Sequence, residues 1–322
     1  MTKRNHYHLS PTPLITVTPA RLLVLTGAAL HNSEPESFGH ENGNINLKEI
    51  VMSRVVRQTY RAFGLLLLAL VLAAPQVSAD SAPPKLAGIL QRGELVLGTA
   101  ANMPPMTHTR ADGRVVGLDI DIARLMANAM GVKLNIRVMP FERLLPALQQ
   151  GEVDVVISNM TMNPKRNLQV AFVGPYLTSG KCIVTKREDL ARAKEGGDLN
   201  VPETRLAALK GSTSADFAKK LFPNATLTLV DDHDSAIKLI QQDEIGGLIT
   251  DHPICQSVLA RYPDAGFVSL FSLLTYEPIG IALPGTDPLF INWTENFLGR
   301  LEGMGLLKEL GKRWLSAETP EQ

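Results

Sequence analysis

FERLLPALQQGEVDVVISNMTMNPKR, residues 141–166, decides the fold class. The first part reads as a short helix interrupted by Pro146 and closed at Gly151. Val153 to Ile157 is a β-branched run of strand length that ends abruptly at Ser158, Asn159 and Thr161. Asn163 then has the chemistry of an N-cap, Pro164 suits the first helical position, and Arg166 falls in the first turn. A cation there opposes the helix dipole. Two explanations stand side by side: an exposed Arg on a surface turn, or an outside anion held by free N–H groups and the forked guanidinium.

Working outward, the same alternation recurs. Residues 94–100, ELVLGTA, read as a strand. Residues 119–131 read as a helix with Ile122, Leu125, Met126 and Met130 on one face and Gly131 as its stop. KLNIRVM, 133–139, alternates as a strand does. With the opening stretch this makes βαβαβ, the mark of a parallel sheet covered by helices. A second block repeats the rhythm: strands in TRLAALKG, ATLTLV and GGLIT, and helices in SADFAKKLF, DSAIKLIQQ and PICQSVLARY. Extended segments, PYLTSGKCIVTK and LTYEPIGIALP, flank the second block, and a long helical tail closes the chain. The expectation is an α/β protein of two blocks joined by a double crossover, with any ligand at the carboxyl ends of the strands.

The chain has 322 residues, equal numbers of acidic and basic side chains, and no basic stripe, which argues against nucleic acid as a partner. Arg54, Arg57 and Arg61 precede an apolar run from Ala62 to Ala74, and Val77-Ser78-Ala79 supplies a small-residue ending. That is the pattern of a secretory signal peptide spanning 52–79, cleaved after Ala79. Signal peptides begin near their initiator, so Met52 is the expected start and residues 1–51 a non-native or disordered extension. Without the leader's seven Lys/Arg and four Asp/Glu, the exported chain carries 25 basic and 28 acidic residues, a net charge of about −3. Export permits a disulfide between Cys182 and Cys255, but two buried, reduced thiols are the expectation.

Several signals carry no chemistry. GMGLLKELG lacks a preceding strand and the dinucleotide spacing. Asp119 and Asp121 are read as helix-capping acids rather than metal ligands. His108, His233 and His252 are scattered, Trp293 and Trp314 are read as packing residues, and neither a nucleophile elbow nor a P-loop is present. No cofactor or metal is expected.

From Gly93 to Leu315 the chain resembles the extracellular solute-binding proteins of polar amino-acid ABC importers, solute-binding family 3. The resemblance is carried by GLDIDIARLMANAMG, the opening stretch, VAFVGPY, LKGSTSADF, GGLITDHP, YEPIGIALP and LLKELGKRW. Most specific is the order P-A-L-x-x-G-x-x-D followed by T-x-x-x-x-R. It implies a two-lobe, periplasmic-binding-protein-like type II fold with a double-crossover hinge. Lobe 1 would be 80–176 and 280–322, lobe 2 would be 180–275, and the hinges would lie about 176–180 and 275–279. It also implies that Arg166 binds a ligand's α-carboxylate, aided by Thr161 and by backbone N–H groups at Ser212 and Thr213. Asp251 would take the α-ammonium, as would the Asn159 carbonyl, and Phe141 would cover the ligand. The structural alternative for Asp251 is an N-cap for the helix after Pro253.

Where many such proteins place a polar group after the first strand, this chain has Ala100, Ala101, Met103 and Met106. An uncharged, Met-lined wall implies an apolar or small ligand side chain rather than one like Lys or Arg. The resemblance further implies a monomer in the periplasm that delivers an amino acid, or a similar small carboxylate, to an ABC permease without being an enzyme. Two alternatives remain. One is a dehydratase like cyclohexadienyl or arogenate dehydratase on the same fold, for which Glu142 and His252 are the candidate acid or base. The other is a ligand-presenting partner of a sensor receptor.

Overall fold

The computed structural model describes residues 84–192, 196–271 and 275–316. The expectations for the leader and for residues 1–51 lie outside the described residues. The body opens with a helix that sequence periodicity did not announce, α1 (Lys85–Arg92), ended by Gly93 in the left-handed region. Leu86 and Ile89 anchor it, and burying each contributes about 1.5–3 kcal/mol. Next come β1 (Glu94–Thr99), the short strands β2 (Asn102–Met103), β3 (Thr107–Thr109) and β4 (Val115–Val116), and α2 (Leu118–Met130). Strand β5 (Lys133–Val138) leads to a single 3-10 turn, Phe141–Arg143, and then α3 (Leu144–Gln149). Pro146 is accommodated in the first turn of α3, where its missing N–H costs nothing, so it does not break the helix. Strand β6 (Val155–Val156), the one-turn helix α4 (Pro164–Asn167) and β7 (Ala171–Ser179) complete this half.

Only Gly180 separates β7 from β8 (Lys181–Thr185), which belongs to a different sheet. The second half continues with the short helices α5 (Glu188–Ala191) and α6 (Gly196–Leu199), then β9 (Arg205–Leu209), α7 (Thr213–Leu221), β10 (Thr226–Val230) and α8 (His233–Gln241). It ends with β11 (Gly247–Asp251), α9 (His252–Arg261) and β12 (Val268–Phe271). The chain then returns to the first sheet as β13 (Glu277–Leu283), followed by α10 (Pro288–Gly303) and α11 (Leu306–Leu315).

The two large sheets have the orders β5-β1-β6-β13-β7 and β10-β9-β11-β8-β12. In the first, β1 runs parallel to β5 and β6, while β13 is antiparallel to β6 and β7. In the second, β9 runs parallel to β10 and β11, while β8 is antiparallel to β11 and β12. The fold is therefore α/β with two mixed sheets and two chain crossings between them, as the sequence implied. One apolar cluster packs the first sheet and reaches Leu209 and Ile254 of the second half, and two further clusters pack around the second sheet. Asp154, the acid of the most specific motif, is structural. Buried, it accepts the Val96 N–H at 2.8 Å and ion-pairs with Lys85 and Arg92 of α1.

Two expectations are corrected. Cys182 and Cys255 form a disulfide. An inward position of β8 faces the inner side of α9, and the Cα atoms stand 6.6 Å apart, within bridging range. Asp119 and Asp121 cap nothing: the residue before α2 is Gly117, with no side-chain cap. Asp119 is buried among Asn159 and Tyr176, whereas Asp121 accepts from the Trp314 indole at 2.8 Å and pairs with Arg124 and Arg313. Trp314 is buried and Trp293 stacks on Phe297, as packing residues do.

Candidate functional site

The carboxyl ends of the parallel strands in both sheets open on one cleft. The first half lines it with Met103, Phe141, Asn159, Thr161 and Arg166. The second supplies Leu209, Ser212, Thr213, Ser214, His233, Thr250 and Asp251. All eight residues singled out from the sequence therefore line the cleft, although they come from five separate stretches of the chain. Met106, by contrast, is sealed in the core of the first half.

Local structure explains each placement. Asn163 caps α4 by accepting the Arg166 N–H at 2.8 Å, which fixes the backbone from which the guanidinium reaches back. Nη1 of Arg166 donates to the Thr161 carbonyl at 2.7 Å, and Nη2 donates to the Gly211 carbonyl at 3.1 Å. Its guanidinium lies 5.7 Å from the centre of the Phe141 ring. No carboxylate lies within ion-pair distance of Arg166 among the described residues. Burial lowers its pKa, and the fields of Asp251, Asp216 and Glu277 oppose that shift. Gly211 is left-handed with φ +73°, and a Cβ there would stand 2.9 Å from the Glu142 Cβ, so glycine is what lets this turn approach the first half.

Opposite Arg166 stands the N-terminus of α7. Ser212 is its N-cap, with Oγ accepting the Ala215 N–H at 3.1 Å, and its own N–H is spent on the Leu209 carbonyl at 3.2 Å. Thr213 and Ser214, the next two residues of the first turn, also line the cleft, and first-turn N–H groups have no partner within their own helix. The expectation that Ser212 would offer its N–H is thus shifted one residue along. Thr161 and Thr213 meet hydroxyl to hydroxyl at 3.3 Å across the cleft.

Asp251 ends β11 and makes no side-chain cap to α9, so the capping alternative does not hold. Its Oδ2 accepts from Asn159 Nδ2 at 2.9 Å, and its Oδ1 accepts from Lys181 Nζ at 2.6 Å. Asn159 has φ +47°, a left-handed conformation that Asn tolerates better than other side chains. Its N–H donates to Asp119 Oδ2 at 2.7 Å. Burial raises Asp119 to a pKa of about 7, against the Tyr176 hydroxyl and the Asn159 N–H, which both favour its charged form. His233 is buried, bonds Thr250 Oγ1 at 3.0 Å, and has its pKa lowered by burial, so it stands as a neutral imidazole.

Sequence reasoning missed Lys181, Glu277, Asp119 and His233. The available signal was a charge beside an apolar run: Lys181 opens KCIVT, all of it buried, and Glu277 opens β13. Among the described residues no cluster of His, Cys, Asp or Glu could hold a metal.

With this geometry in hand, comparison with known proteins gives a consistent answer. ABC transporter arginine-binding protein 1 of Escherichia coli K12 is 24% identical over 223 residues, covering 67% of this chain and 88% of its own length. Cyclohexadienyl dehydratase of Pseudomonas aeruginosa is 24% identical over 236 residues, covering 72% and 86%. Among solved structures, a putative binding component of an ABC transporter from Wolinella succinogenes DSM 1740, complexed with lysine, is 36% identical. It superposes with a TM-score of 0.67, over 70% of this chain and 96% of its own. An ancestral amino-acid-binding protein, a precursor of cyclohexadienyl dehydratase, is 32% identical with a TM-score of 0.67, over 72% and 99%. The profile of one family matches residues 95–317, and on that match this chain belongs to the bacterial extracellular solute-binding proteins, family 3.

Proposed function

We propose that the protein captures a small α-amino acid, or a similar small carboxylate, in this cleft and delivers it to an ABC permease from the periplasm, acting as a monomer. The observation that carries the reading is Arg166: a guanidinium lining a cleft, held by two backbone carbonyls and, among the described residues, with no carboxylate at ion-pair distance. Its fork and the N–H groups at the start of α7 converge on an anion from opposite halves. Thr161 adds its hydroxyl, Phe141 covers the ligand, and Asp251 with Asn159 faces its α-substituent. Splitting the contacts between halves couples closure to ligand, the usual logic of hinged binding proteins.

Met103 and Phe141 supply the apolar wall, and Asp251 is the one carboxylate lining the cleft among the described residues. That supports an apolar or small ligand side chain, in contrast to the arginine and lysine in the names of similar proteins. A binding role rather than catalysis is supported by the two acid–base candidates: neither Glu142 nor His252 lines the cleft. Glu142 instead stands 3.8 Å from Lys210, and His252 is exposed near Gln256.

Calorimetric titration of the purified protein, stripped of ligand by unfolding and refolding, against the twenty amino acids tests the reading. Binding of one or a few small or apolar members is expected. Arg166→Ala should weaken it by about 100-fold or more, the loss of a bidentate charge-assisted contact. Tight binding of arginine would overturn the side-chain class, and binding that ignores Arg166→Ala would overturn the carboxylate clamp.

A further inference from the structure

Resting on the carboxylate-clamp reading, we infer that Lys181 competes with the ligand's α-ammonium for Asp251. The cleft then takes small carboxylates with a neutral α-substituent, 2-hydroxy acids in particular, about as readily as the matching α-amino acids.

Lys181 is the first residue of β8, directly after the crossing between sheets, and its side chain is 3% exposed. Its ammonium donates to Asp251 Oδ1 at 2.6 Å and Thr213 Oγ1 at 2.7 Å, and forms an ion pair with Glu277 Oε2 at 3.2 Å. The acid placed to receive a ligand's ammonium thus already holds a cation of the protein's own. Its other oxygen is also engaged, by Asn159 Nδ2 at 2.9 Å. A ligand ammonium reaching Asp251 would crowd beside Lys181 in a site shielded from water, where like charges repel strongly.

Asn159 points to what the site accepts instead. Its amide orientation is fixed, because turning it would set Oδ1 against the Asp251 carboxylate. The correctly oriented Oδ1 is buried, on a cleft-lining residue, and has no hydrogen-bond partner among the described residues. A buried acceptor without a donor is costly, and a ligand O–H supplies one without adding charge. An ammonium is not shut out, since Glu277 balances Lys181, and the buried Lys181, Asp251 and Glu277 together with the half-buried Arg166 sum to zero. It only loses its exclusive claim on Asp251, so the preference that amino-acid clamps draw from that acid is muted here.

The experiment is titration calorimetry with matched pairs: L-alanine and L-lactate, L-leucine and L-2-hydroxy-4-methylpentanoate, L-phenylalanine and L-phenyllactate. In the wild type the pair with the best-fitting side chain should show Kd values within about tenfold of each other. In Lys181→Met/Glu277→Gln, which removes one buried cation and one buried anion together, the same pair should separate by about tenfold more, in favour of the amino acid. A wild-type preference for the amino acid beyond about 100-fold overturns the inference, whether or not the variant folds. So does an unchanged ratio in a folded variant. Silence of every pair in the wild type would instead remove the carboxylate clamp itself, and the inference with it.

Discussion

Asp119 brings pH to the floor of the cleft. Its carboxylate lies buried beneath Asn159, accepting the Asn159 N–H on Oδ2 and the Tyr176 hydroxyl on Oδ1, each at 2.7 Å. Burial outweighs both donors and lifts its pKa from 3.8 to about 7. Between those two values the folded chain holds a proton that the unfolded chain has released, so stability falls as pH rises from about 4 to about 7. The gap of about three units amounts to about 4 kcal/mol, of which about 2–3 kcal/mol falls between pH 5 and pH 8. Asp119→Asn removes the titration. It also turns one acceptor into an amine facing the Asn159 N–H or the Tyr176 oxygen, a cost that does not vary with pH. Urea unfolding of both proteins at pH 5, 6, 7 and 8 therefore isolates the effect. The wild type should lose about 2–3 kcal/mol relative to the variant across that range. Other titrating groups, including the buried His233, cancel in the difference. Parallel stability curves, agreeing within about 0.5 kcal/mol once offset, would show that the two donors keep Asp119 charged and that burial does not win.

Three further outcomes are expected. Replacing both Cys182 and Cys255 by alanine opens a covalent loop between residues 73 apart in sequence, and should cost about 4 kcal/mol in equilibrium unfolding; a loss below about 1 kcal/mol would mean the bridge constrains little. Gly211→Ala forces a left-handed β-carbon against Glu142, so stability should fall by about 1–2 kcal/mol and ligand affinity should drop with it, measured by thermal melts and calorimetry; unchanged affinity would show that this turn yields easily. Peptide mapping of the precursor should find nothing from residues 1–47 and an exported N-terminus at Asp80, and any peptide from that stretch would refute the later start at Met52.

The alternation of strands and helices could be read because each long element repeats its apolar period several times, as α2 and β9 do. Elements too short for a period stayed hidden: β2, β3 and β4 have two or three residues each, and α1 follows a proline pair that reads as a lead-in. Arg166, Thr161 and Asp251 were visible because polar residues end apolar strands, and the family pattern assigned their roles. The partners that complete the site were not, because nothing local links Lys181 to Asp251, 70 residues away, or Asn159 to Asp119, 40 residues away. The disulfide was misjudged for the same reason: which face of α9 meets β8 depends on tertiary packing, and the sequence separation of 73 is silent on it.

The place of β13 bears on how the chain is born. It lies between β6 and β7, and among the described residues it is the only strand paired with β7 in the first sheet. A chain emerging from its N-terminus therefore carries β7 with a bare edge until Leu283 has followed, after the entire second half. Closing that gap requires a pairing between segments about 100 residues apart, the kind of contact that makes folding slow and leaves sticky edges open to neighbours. Truncation before β13 should thus yield an aggregating first half rather than a smaller stable one, whereas the second sheet is complete within residues 181–271 and can form ahead of it.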